Sequence, residues 1–250
     1  MKLAIVGYGR MGKEVEQQAQ QRGHEICSIL DVGDSLTASA LNGAEVLISF
    51  ILADAVLPNL QKAAKLGISV VEGTTGWYDK LAKAKELSNL TMIYSPNFSI
   101  GVYLFSKIVG TAARLIGPLS EYDCYVHEFH HKGKNDSPSG TAKKLADILL
   151  EHLPQKGTSL YDTSHGVIDQ SMLHVTSTRV GRVPGIHEIG FDSSADEITL
   201  KHTAHGREGF ALGAVRAAEW IIGKSGIFTM DDFMSSLLGA RGNESESFEK

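Results

Sequence analysis

The richest concentration of reactive side chains lies in one segment, 128–141, with the sequence EFHHKGKNDSPSGT. His130 and His131 contribute two imidazoles, and Lys134 contributes an amine. Protonated His and Lys donate hydrogen bonds to anionic substrates, and either can deliver a proton beside a hydride acceptor. The Ser-Gly-Thr at 139–141 is typical of a helix start, where free amides face a carboxylate. The segment favours a dicarboxylate reductase, although a solvated basic loop with an ordinary helix cap fits the same residues.

A second informative segment is the G-x-G-x-x-G pattern of Gly7, Gly9 and Gly12, between the first predicted strand and the first predicted helix. The first glycine permits a tight turn, the second lets the backbone approach a pyrophosphate, and the third lets helix and strand pack closely. Asp31, at the end of the second predicted strand, is placed to hold the ribose hydroxyls. This context predicts a dinucleotide site; the alternative is a glycine-rich turn without a ligand.

The choice between the two nicotinamide dinucleotides depends on the surroundings of Asp31. A carboxylate there repels the 2′-phosphate of NADPH, and an adjacent arginine usually relieves that repulsion. In this chain Val32 and Gly33 follow instead. The sequence therefore favours NADH. NADPH stays possible, because Arg10 and Lys13 could supply positive charge.

The first hundred residues must hold the dinucleotide site, and they alternate apolar runs with helical patterns. Short runs rich in Val, Ile and Leu predict buried strands of a parallel sheet. A glycine directly after a helical pattern marks its end. Predicted strands cover 3–6, 25–30, 45–50, 69–71 and 91–94, and predicted helices cover 13–22, 54–66 and 78–87. This alternation predicts an α/β fold with a Rossmann-type, doubly wound parallel sheet.

After about residue 101 the pattern changes, which predicts a second, α+β domain with an open antiparallel or mixed sheet. Predicted helices cover 102–116 and 141–152, and predicted strands cover 121–129, 171–180, 187–191 and 197–204. A helical stretch at 210–222 could return to the first domain, and the polar tail at 241–250 is expected to be frayed. We therefore expect a dinucleotide-binding domain from 1–100 and 208–250, and a substrate-binding and tetramerisation domain at 101–207.

Composition narrows the classes of function. Lys plus Arg number 24 and Asp plus Glu number 29, for a formal net charge of −5. This balance argues against a nucleic-acid-coating protein, which needs a basic surface. No apolar run approaches the ~20 residues of a membrane span, and the first residues form too short a run for a signal peptide. Cys27 and Cys124 are too few for a zinc-ribbon spacing. We expect a cytoplasmic protein with no metal, nucleic-acid or membrane partner.

Several blocks together resemble dihydrodipicolinate reductases, now called 4-hydroxy-tetrahydrodipicolinate reductases. Segment 128–141 is similar to that family's signature, roughly E-x-H-H-x-x-K-x-D-x-P-S-G-T. Other blocks match in the family's order, and together the matches extend from about residue 3 to residue 220. These blocks are EGTTG at 72–76, SPNFSIGV at 95–102, RVG at 179–181, PGIH at 184–187, HTA at 202–204, and Arg207 with FALGA at 210–214.

The resemblance implies a role for each matching position. The pyrophosphate would be held by Gly7, Gly9, Arg10, Met11 and Gly12, and the adenosine ribose by Asp31. The nicotinamide would be bordered by Gly73, Thr75, Ser95, Pro96 and Phe98. His130 and Lys134 would handle the proton, and the substrate carboxylates would be gripped by His131, Lys134, Ser139, Gly140 and Thr141. Arg207 would support the site from the domain junction.

The activity that the resemblance implies is NAD(P)H-dependent reduction of 4-hydroxy-tetrahydrodipicolinate to tetrahydrodipicolinate, in diaminopimelate and lysine biosynthesis. Hydride would go to C4, with a proton from the His130/Lys134 pair. The family's central sheet implies a homotetramer. Two alternatives stay open: another nicotinamide-dependent reductase, acting on a sugar or amino-acid aldehyde, and a non-enzymatic NAD(H)-sensing regulatory module.

Overall fold

The computed structural model describes residues 1–161 and 163–239, which form two compact units. The first unit comprises Met1–Ile100 together with the chain from Glu208 onward, and the second comprises Gly101–Arg207. The tail expected to be frayed, 241–250, lies outside the described residues. Among the described helices, none combines the length and the apolar character that crossing a membrane requires.

The first hundred residues alternate strands and helices, and all five predicted strands are confirmed. The predicted helix at 13–22 begins earlier, directly after Gly9, because its first turn also contains the phosphate-loop residues. The continuous helix predicted at 78–87 is wrong, since a 3-10 helix there is followed by a short α-helix. In chain order the elements are β1 (Lys2–Val6), α1 (Arg10–Gln21), β2 (Glu25–Leu30), α2 (Ala38–Leu41), β3 (Val46–Ser49), α3 (Ala53–Leu66), β4 (Ser69–Glu72), the 3-10 helix (Tyr78–Lys80), α4 (Leu81–Lys85) and β5 (Met92–Tyr94).

The second unit and the returning chain follow. The second unit contains α5 (Ile100–Ile116), β6 (Asp123–His130), α6 (Gly140–His152), β7 (Thr158–Leu160), β8 (Met172–Arg179), β9 (Ile186–Asp192) and β10 (Glu197–Thr203). The returning chain contains α7 (Glu208–Ile221), β11 (Ile227–Thr229) and α8 (Met230–Leu237). The predicted helices at 102–116, 141–152 and 210–222 are each present within two residues of their predicted bounds.

The first unit is built on a six-stranded sheet in the order β11-β5-β4-β3-β1-β2, in which all neighbouring strands are parallel. Its strands are buried on both faces, as the apolar runs predicted; β3 is buried at every position. Small residues let α7 approach the chain after β5: a Cβ at Gly213 would lie 1.8 Å from the carbonyl oxygen of Phe98. Because the strands are parallel, their carboxyl ends share one edge, where dinucleotides bind in such sheets.

The second unit is built on a five-stranded mixed sheet in the order β10-β9-β6-β8-β7. β6 is parallel to β8 and antiparallel to β9, which confirms the predicted open mixed sheet. Along β6 the burial alternates. Cys124 and Val126 face a buried cluster that includes Val109 from α5 and Leu145 from α6. The other face of the sheet therefore carries only half-buried side chains from β6.

Candidate active site

The loop after β1 has the close backbone approaches that a pyrophosphate site requires. Gly7 has a φ of +89°, and a Cβ there would lie 2.1 Å from the carbonyl oxygen of Phe50. A Cβ at Gly12 would lie 2.3 Å from the carbonyl oxygen of Gly7. Neither position tolerates a side chain, so this turn keeps the start of α1 tight against β1.

The N-terminus of α1 is open to an anion. Gly9 is its N-cap, has no capping side chain, and faces open space, since a Cβ there would meet no atom within 4 Å. The first turn contains no acidic residue and begins with Arg10 and Met11. The free amides and the positive end of the helix dipole are therefore available to a phosphate. The residues present fit the diphosphate of a dinucleotide.

Asp31 follows β2 directly and is exposed at the same sheet edge. Its backbone amide donates to Oδ2 of Asp34 at 2.8 Å, and its Oδ1 accepts from the amide of Val32 at 2.9 Å. Two carboxylates therefore lie together where the second strand ends. Such a pair suits hydroxyl groups and disfavours a phosphate.

The residues expected to border the nicotinamide follow β4 and β5, which are neighbouring strands. A Cβ at Gly73 would lie 2.1 Å from the ring of Phe50, so only glycine fits there. Thr75 and Pro96 are exposed. Ser95 is buried, and its hydroxyl donates to the carbonyl oxygen of Asn97 at 2.7 Å. Phe98 is only 2% exposed, so its ring belongs to the core and only its main chain can serve a ligand.

One residue of this edge that sequence reasoning did not single out is Glu72, the last residue of β4, which is 1% exposed. Its Oε1 accepts from the amide of Thr74 at 2.8 Å, and the Thr74 hydroxyl accepts from the amide of Ile51 at 3.0 Å. Burial raises the pKa of Glu72 to about 7, despite the hydrogen bonds from Thr74. The carboxyl group thus fixes the loop that begins at Gly73.

The second unit contains a buried carboxylate, Glu128, surrounded by donors. Oε1 of Glu128 accepts from the Ser139 amide at 2.9 Å, the Ser177 hydroxyl at 2.8 Å and Nη2 of Arg179 at 2.8 Å. Burial alone raises the pKa of Glu128, but the contacts from His130, His187, Ser139 and Arg179 outweigh it and hold the pKa well below its usual range. Glu128 is therefore a buried anion.

Two histidines face the other oxygen of this carboxylate. Nδ1 of His130 lies 3.3 Å and Nε2 of His187 lies 3.4 Å from Oε2 of Glu128. The two rings pack edge to face with centroids 5.2 Å apart. The opposite nitrogen of His130, Nε2, points toward Gly185, where a Cβ would lie 3.1 Å away. The predicted proton donor is thus placed between an anion and a glycine.

Lys134 lies in the loop that follows β6. Its Nζ is 2.7 Å from Oδ1 of Asp136, and this ammonium lowers the pKa of Asp136 more than burial raises it. Nη2 of Arg179 donates to the carbonyl oxygen of Asp136 at 2.6 Å. The structure therefore pairs Lys134 with Asp136, and its partnership with His130 stays a prediction. His131 is half-buried, and its carbonyl oxygen accepts from the Lys134 amide at 3.1 Å.

The predicted carboxylate-binding residues 139–141 form the start of α6. Ser139 is the N-cap, and its hydroxyl accepts from the amide of Ala142 at 3.1 Å and lies 3.3 Å from Nε2 of His187. Gly140 is exposed and Thr141 is half-buried. Because the Ser139 amide already donates to Glu128, the first-turn amides of Gly140 and Thr141 are those that can face a substrate carboxylate. Arg207, the last residue of this unit, is exposed.

The donor set at Glu128 also resembles a metal site. Single ligand atoms of Glu128, His130 and His187 all lie within 4.8 Å of one another. A guanidinium already pairs with this carboxylate, through Nη2 of Arg179 at 2.8 Å. Because a second cation would meet that positive charge, we interpret the cluster as one that orients histidines and handles protons.

Three members of this cluster, Glu128, Arg179 and His187, had no role assigned from the sequence. All three stand in the blocks that carry the resemblance. What joins them is strand register: Glu128 lies opposite Ser177 on β8 and opposite His187 on β9. The available signal was the acidic residue two positions before His130, with the same spacing as alternate residues on one face of a strand.

Two family models match the chain. The one described as "Dihydrodipicolinate reductase, N-terminus" matches residues 1–98, and "Dihydrodipicolinate reductase, C-terminus" matches residues 101–234. The 4-hydroxy-tetrahydrodipicolinate reductase of Christiangramia forsetii is 41% identical over 243 residues, which cover 95% of this chain and 99% of the relative. The enzyme of the same name from Archaeoglobus fulgidus is 40% identical over 259 residues, with 94% and 100% covered.

A solved structure has the same fold. The dipicolinate-bound dihydrodipicolinate reductase from Paenisporosarcina sp. TG-14 superposes with a TM-score of 0.71, at 22% sequence identity, covering 92% of this chain and 97% of that one. A probable dehydrogenase from Thermotoga maritima gives a TM-score of 0.54 at 10% identity, covering 95% and 94%. These likenesses support the architecture of a parallel dinucleotide-binding sheet with a second, mixed-sheet unit.

Proposed function

This chain belongs to the dihydrodipicolinate reductase family, and we propose that it reduces 4-hydroxy-tetrahydrodipicolinate to tetrahydrodipicolinate with a nicotinamide dinucleotide. The reaction serves diaminopimelate and lysine biosynthesis. The observation that carries the proposal is the cluster at the start of α6, where His130 and the Ser139 amide meet one buried carboxylate. A proton donor and a carboxylate-binding helix start are thereby held in one frame.

We propose NADH as the preferred cofactor. The diphosphate would be held by Gly7, Gly9, Arg10, Met11 and Gly12, and the adenosine ribose by Asp31. The nicotinamide, bordered by Gly73, Thr75, Ser95, Pro96 and Phe98, supplies a hydride when bound. Support for NADH comes from the exposed carboxylate of Asp31 and its contact with Asp34, both unfavourable to the 2′-phosphate of NADPH.

In the second unit, we propose that the substrate carboxylates are bound by His131, Lys134, Ser139, Gly140 and Thr141. The ammonium of Lys134 supplies positive charge, and the first turn of α6 supplies amides and the positive end of its dipole. Binding of a carboxylate would compete with Asp136 for the Lys134 ammonium, which is 2.7 Å away from it in this structure. The loop can therefore exchange one anion for another.

His130 and Lys134 would supply the proton that accompanies reduction at C4. Lys134→Ala should lower kcat by roughly 10²–10⁴, the usual effect of losing a positioned acid, and should raise KM. Steady-state kinetics would measure both effects, with Lys144→Ala as control, since Lys144 is an exposed lysine of α6. Near-normal turnover in Lys134→Ala would contradict the assignment.

The decisive experiment follows nicotinamide absorbance with purified protein, NADH, and substrate generated from pyruvate and aspartate semialdehyde by the preceding synthase. Oxidation that requires both precursors is the expected result. Oxidation with an aldehyde panel instead would favour the other reductase class. Tight NADH binding without turnover of any substrate would favour the NAD(H)-sensing module.

We also propose a homotetramer assembled through the mixed sheet. The sheet face opposite the α5 and α6 cluster carries the half-buried side chains of Tyr125, His127 and Phe129. The rings of His127 and Phe129 contact each other, with centroids 4.4 Å apart. A partly apolar face of this kind suits burial against other copies of the chain.

A further inference from the structure

We propose that Glu128 is the positioning residue of the reductase site: its carboxylate fixes the proton-bearing nitrogen and the ring orientation of His130. This inference rests on the proposed function for its catalytic meaning. Its structural basis is the set of contacts that surround the carboxylate.

The two oxygens of Glu128 have different partners. Oε1 is approached by three donors: the Ser139 amide at 2.9 Å, the Ser177 hydroxyl at 2.8 Å and Arg179 Nη2 at 2.8 Å. Oε2 is approached by imidazole nitrogens of His130 at 3.3 Å and His187 at 3.4 Å. One oxygen therefore anchors the start of α6 and β8, and the other faces the histidines.

The orientation of His130 follows from these contacts. Its Nδ1 is buried and has no aligned hydrogen-bond partner, and the acceptor facing it is Oε2 of Glu128. An anion beside Nδ1 favours a proton on that nitrogen, as carboxylates do for histidines elsewhere. The other nitrogen, Nε2, is then left for the reaction. It faces Gly185, where a Cβ would stand 3.1 Å away, so the absent side chain leaves room in front of it.

Glu128 also links His130 to the rest of the predicted substrate loop. Arg179 Nη2 bridges the Glu128 carboxylate and the carbonyl oxygen of Asp136, which in turn pairs with Lys134. The same carboxylate holds the Ser139 amide. One buried anion therefore sets the positions of the predicted proton donor and of both sides of the predicted carboxylate site.

The variant Glu128→Gln separates positioning from scaffolding. All three partners of Oε1 are donors, so the amide oxygen of Gln must take that place and its NH₂ must face the histidines. Ser139, Ser177 and Arg179 keep their acceptor. Nδ1 of His130 then meets a donor instead of an anion, which moves the proton of the neutral ring to Nε2.

The activity test compares kcat, KM and pH profiles of the wild type, Glu128→Gln and the control Glu151→Gln, whose exposed carboxylate lies on α6. Glu128→Gln should lose at least about 10² in kcat, since a wrong tautomer costs a triad enzyme about 10⁴, while the substrate KM changes little. The high-pH limb of its profile should move to lower pH. The other titratable or charged groups facing this cluster are His187 on β9, Arg179 on β8, and His202 on β10 through its interaction with His187.

A second readout needs no turnover. Long-range ¹H–¹⁵N spectra of histidine-labelled protein, assigned with His130→Asn, report which nitrogen carries the proton of the neutral ring. We expect Nδ1–H in the wild type and Nε2–H in Glu128→Gln. A proton on Nε2 in the wild type would overturn the proposal even if the variant failed to fold.

The activity data can also overturn it. Wild-type kcat and an unchanged pH profile in Glu128→Gln would do so, as would a loss confined to thermal stability. Failure of the wild type to reduce the substrate would count against the proposed function alone, because the ring proton can still be located without a reaction.

Discussion

At the scale of single residues, two buried glutamates show how partners decide the state of a carboxyl group. Glu72 and Glu128 are 1% and 0% exposed, so burial penalises the anion at both. Glu72 receives hydrogen bonds from neutral groups, and its pKa is raised to about 7. Glu128 receives a guanidinium and faces two imidazoles, and its pKa is lowered. The first carboxyl therefore serves as a structural hydrogen-bond acceptor, and the second as a fixed charge.

The raised pKa of Glu72 predicts a pH-dependent stability. Between the unfolded value of 4.5 and the native value of about 7, the native state keeps a proton that the unfolded state has released. The free energy of unfolding therefore falls as the pH rises through this window and is constant above it. Glu72→Gln removes this loss, and should be more stable than wild type at pH 8 by up to about 3 kcal/mol.

Urea unfolding at pH 5 and pH 8 would measure this difference, with exposed Glu86→Gln as the matched control. The gain for Glu72→Gln should shrink toward pH 5. An equal effect at both pH values would show that the carboxyl group keeps the same charge in the native and unfolded states.

Asp31 carries the prediction on cofactor choice. Asp31→Asn keeps an oxygen for the Val32 amide, which donates to Oδ1 at 2.9 Å, but removes the charge that would bind ribose hydroxyls and repel a phosphate. The ratio of kcat/KM for NADH to that for NADPH should fall by roughly 10- to 100-fold, the range for a charged hydrogen bond. Asp79→Asn, at an exposed site far along the chain, is the control. A wild type that prefers NADPH would refute this interpretation.

The residues of the candidate site were predictable to different extents. His130, Lys134 and Ser139 stand close together in the chain, so one segment revealed them. Glu128 stood in that segment too, but its partners Arg179 and His187 join it only through the pairing of β6 with β8 and β9. Strand register between distant segments depends on the whole core, and a single sequence does not supply it.

At the scale of elements, periodic patterns predicted the long helices and buried strands, while the shortest elements were missed. The four-residue α2 and the three-residue strands β7 and β11 are too short to show a period. The helix α8 had a signal that was not used: Thr229 and Asp232 form a capping box at its start. The split at Tyr78–Lys80 has no comparable signal in the sequence.

The junction of β1 and α1 predicts opposite effects for two glycine substitutions. Gly12→Ala would place a methyl 2.3 Å from the Gly7 carbonyl oxygen, forcing α1 away from β1 at a cost of about 1–3 kcal/mol. Gly9→Ala meets no protein atom within 4 Å, so it should fold normally. Its methyl would stand among the amides that face the diphosphate, so we expect weaker NADH binding.

Thermal unfolding and NADH titration of both variants would test this pair, each serving as the other's control. Gly12→Ala should lose stability, and Gly9→Ala should keep it while its Kd for NADH rises. Wild-type NADH affinity in Gly9→Ala would argue against a diphosphate at the N-terminus of α1.

At the scale of the whole molecule, the two units divide the work of the proposed reaction. The unit containing the parallel sheet supplies the glycine loop and Asp31, and the unit at Gly101–Arg207 supplies the histidines and the start of α6. Each half-site is built by loops at the ends of strands, so each depends on its own sheet for rigidity. The mixed sheet has a second surface, opposite its buried cluster, that neither half-site uses.

That second surface carries the prediction on assembly. Light scattering of the wild type should give the mass of four chains. His174 is half-buried on β8 and, by strand alternation, lies on the same face as Tyr125, which is its direct neighbour on β6. His174→Glu would bury a charge in any interface formed there, so the variant should dissociate into smaller species with its fold intact by circular dichroism. Glu151→Lys, an exposed change on α6, should leave the mass unchanged. A monomeric wild type, or a His174→Glu tetramer, would show that this sheet face does not hold the copies together.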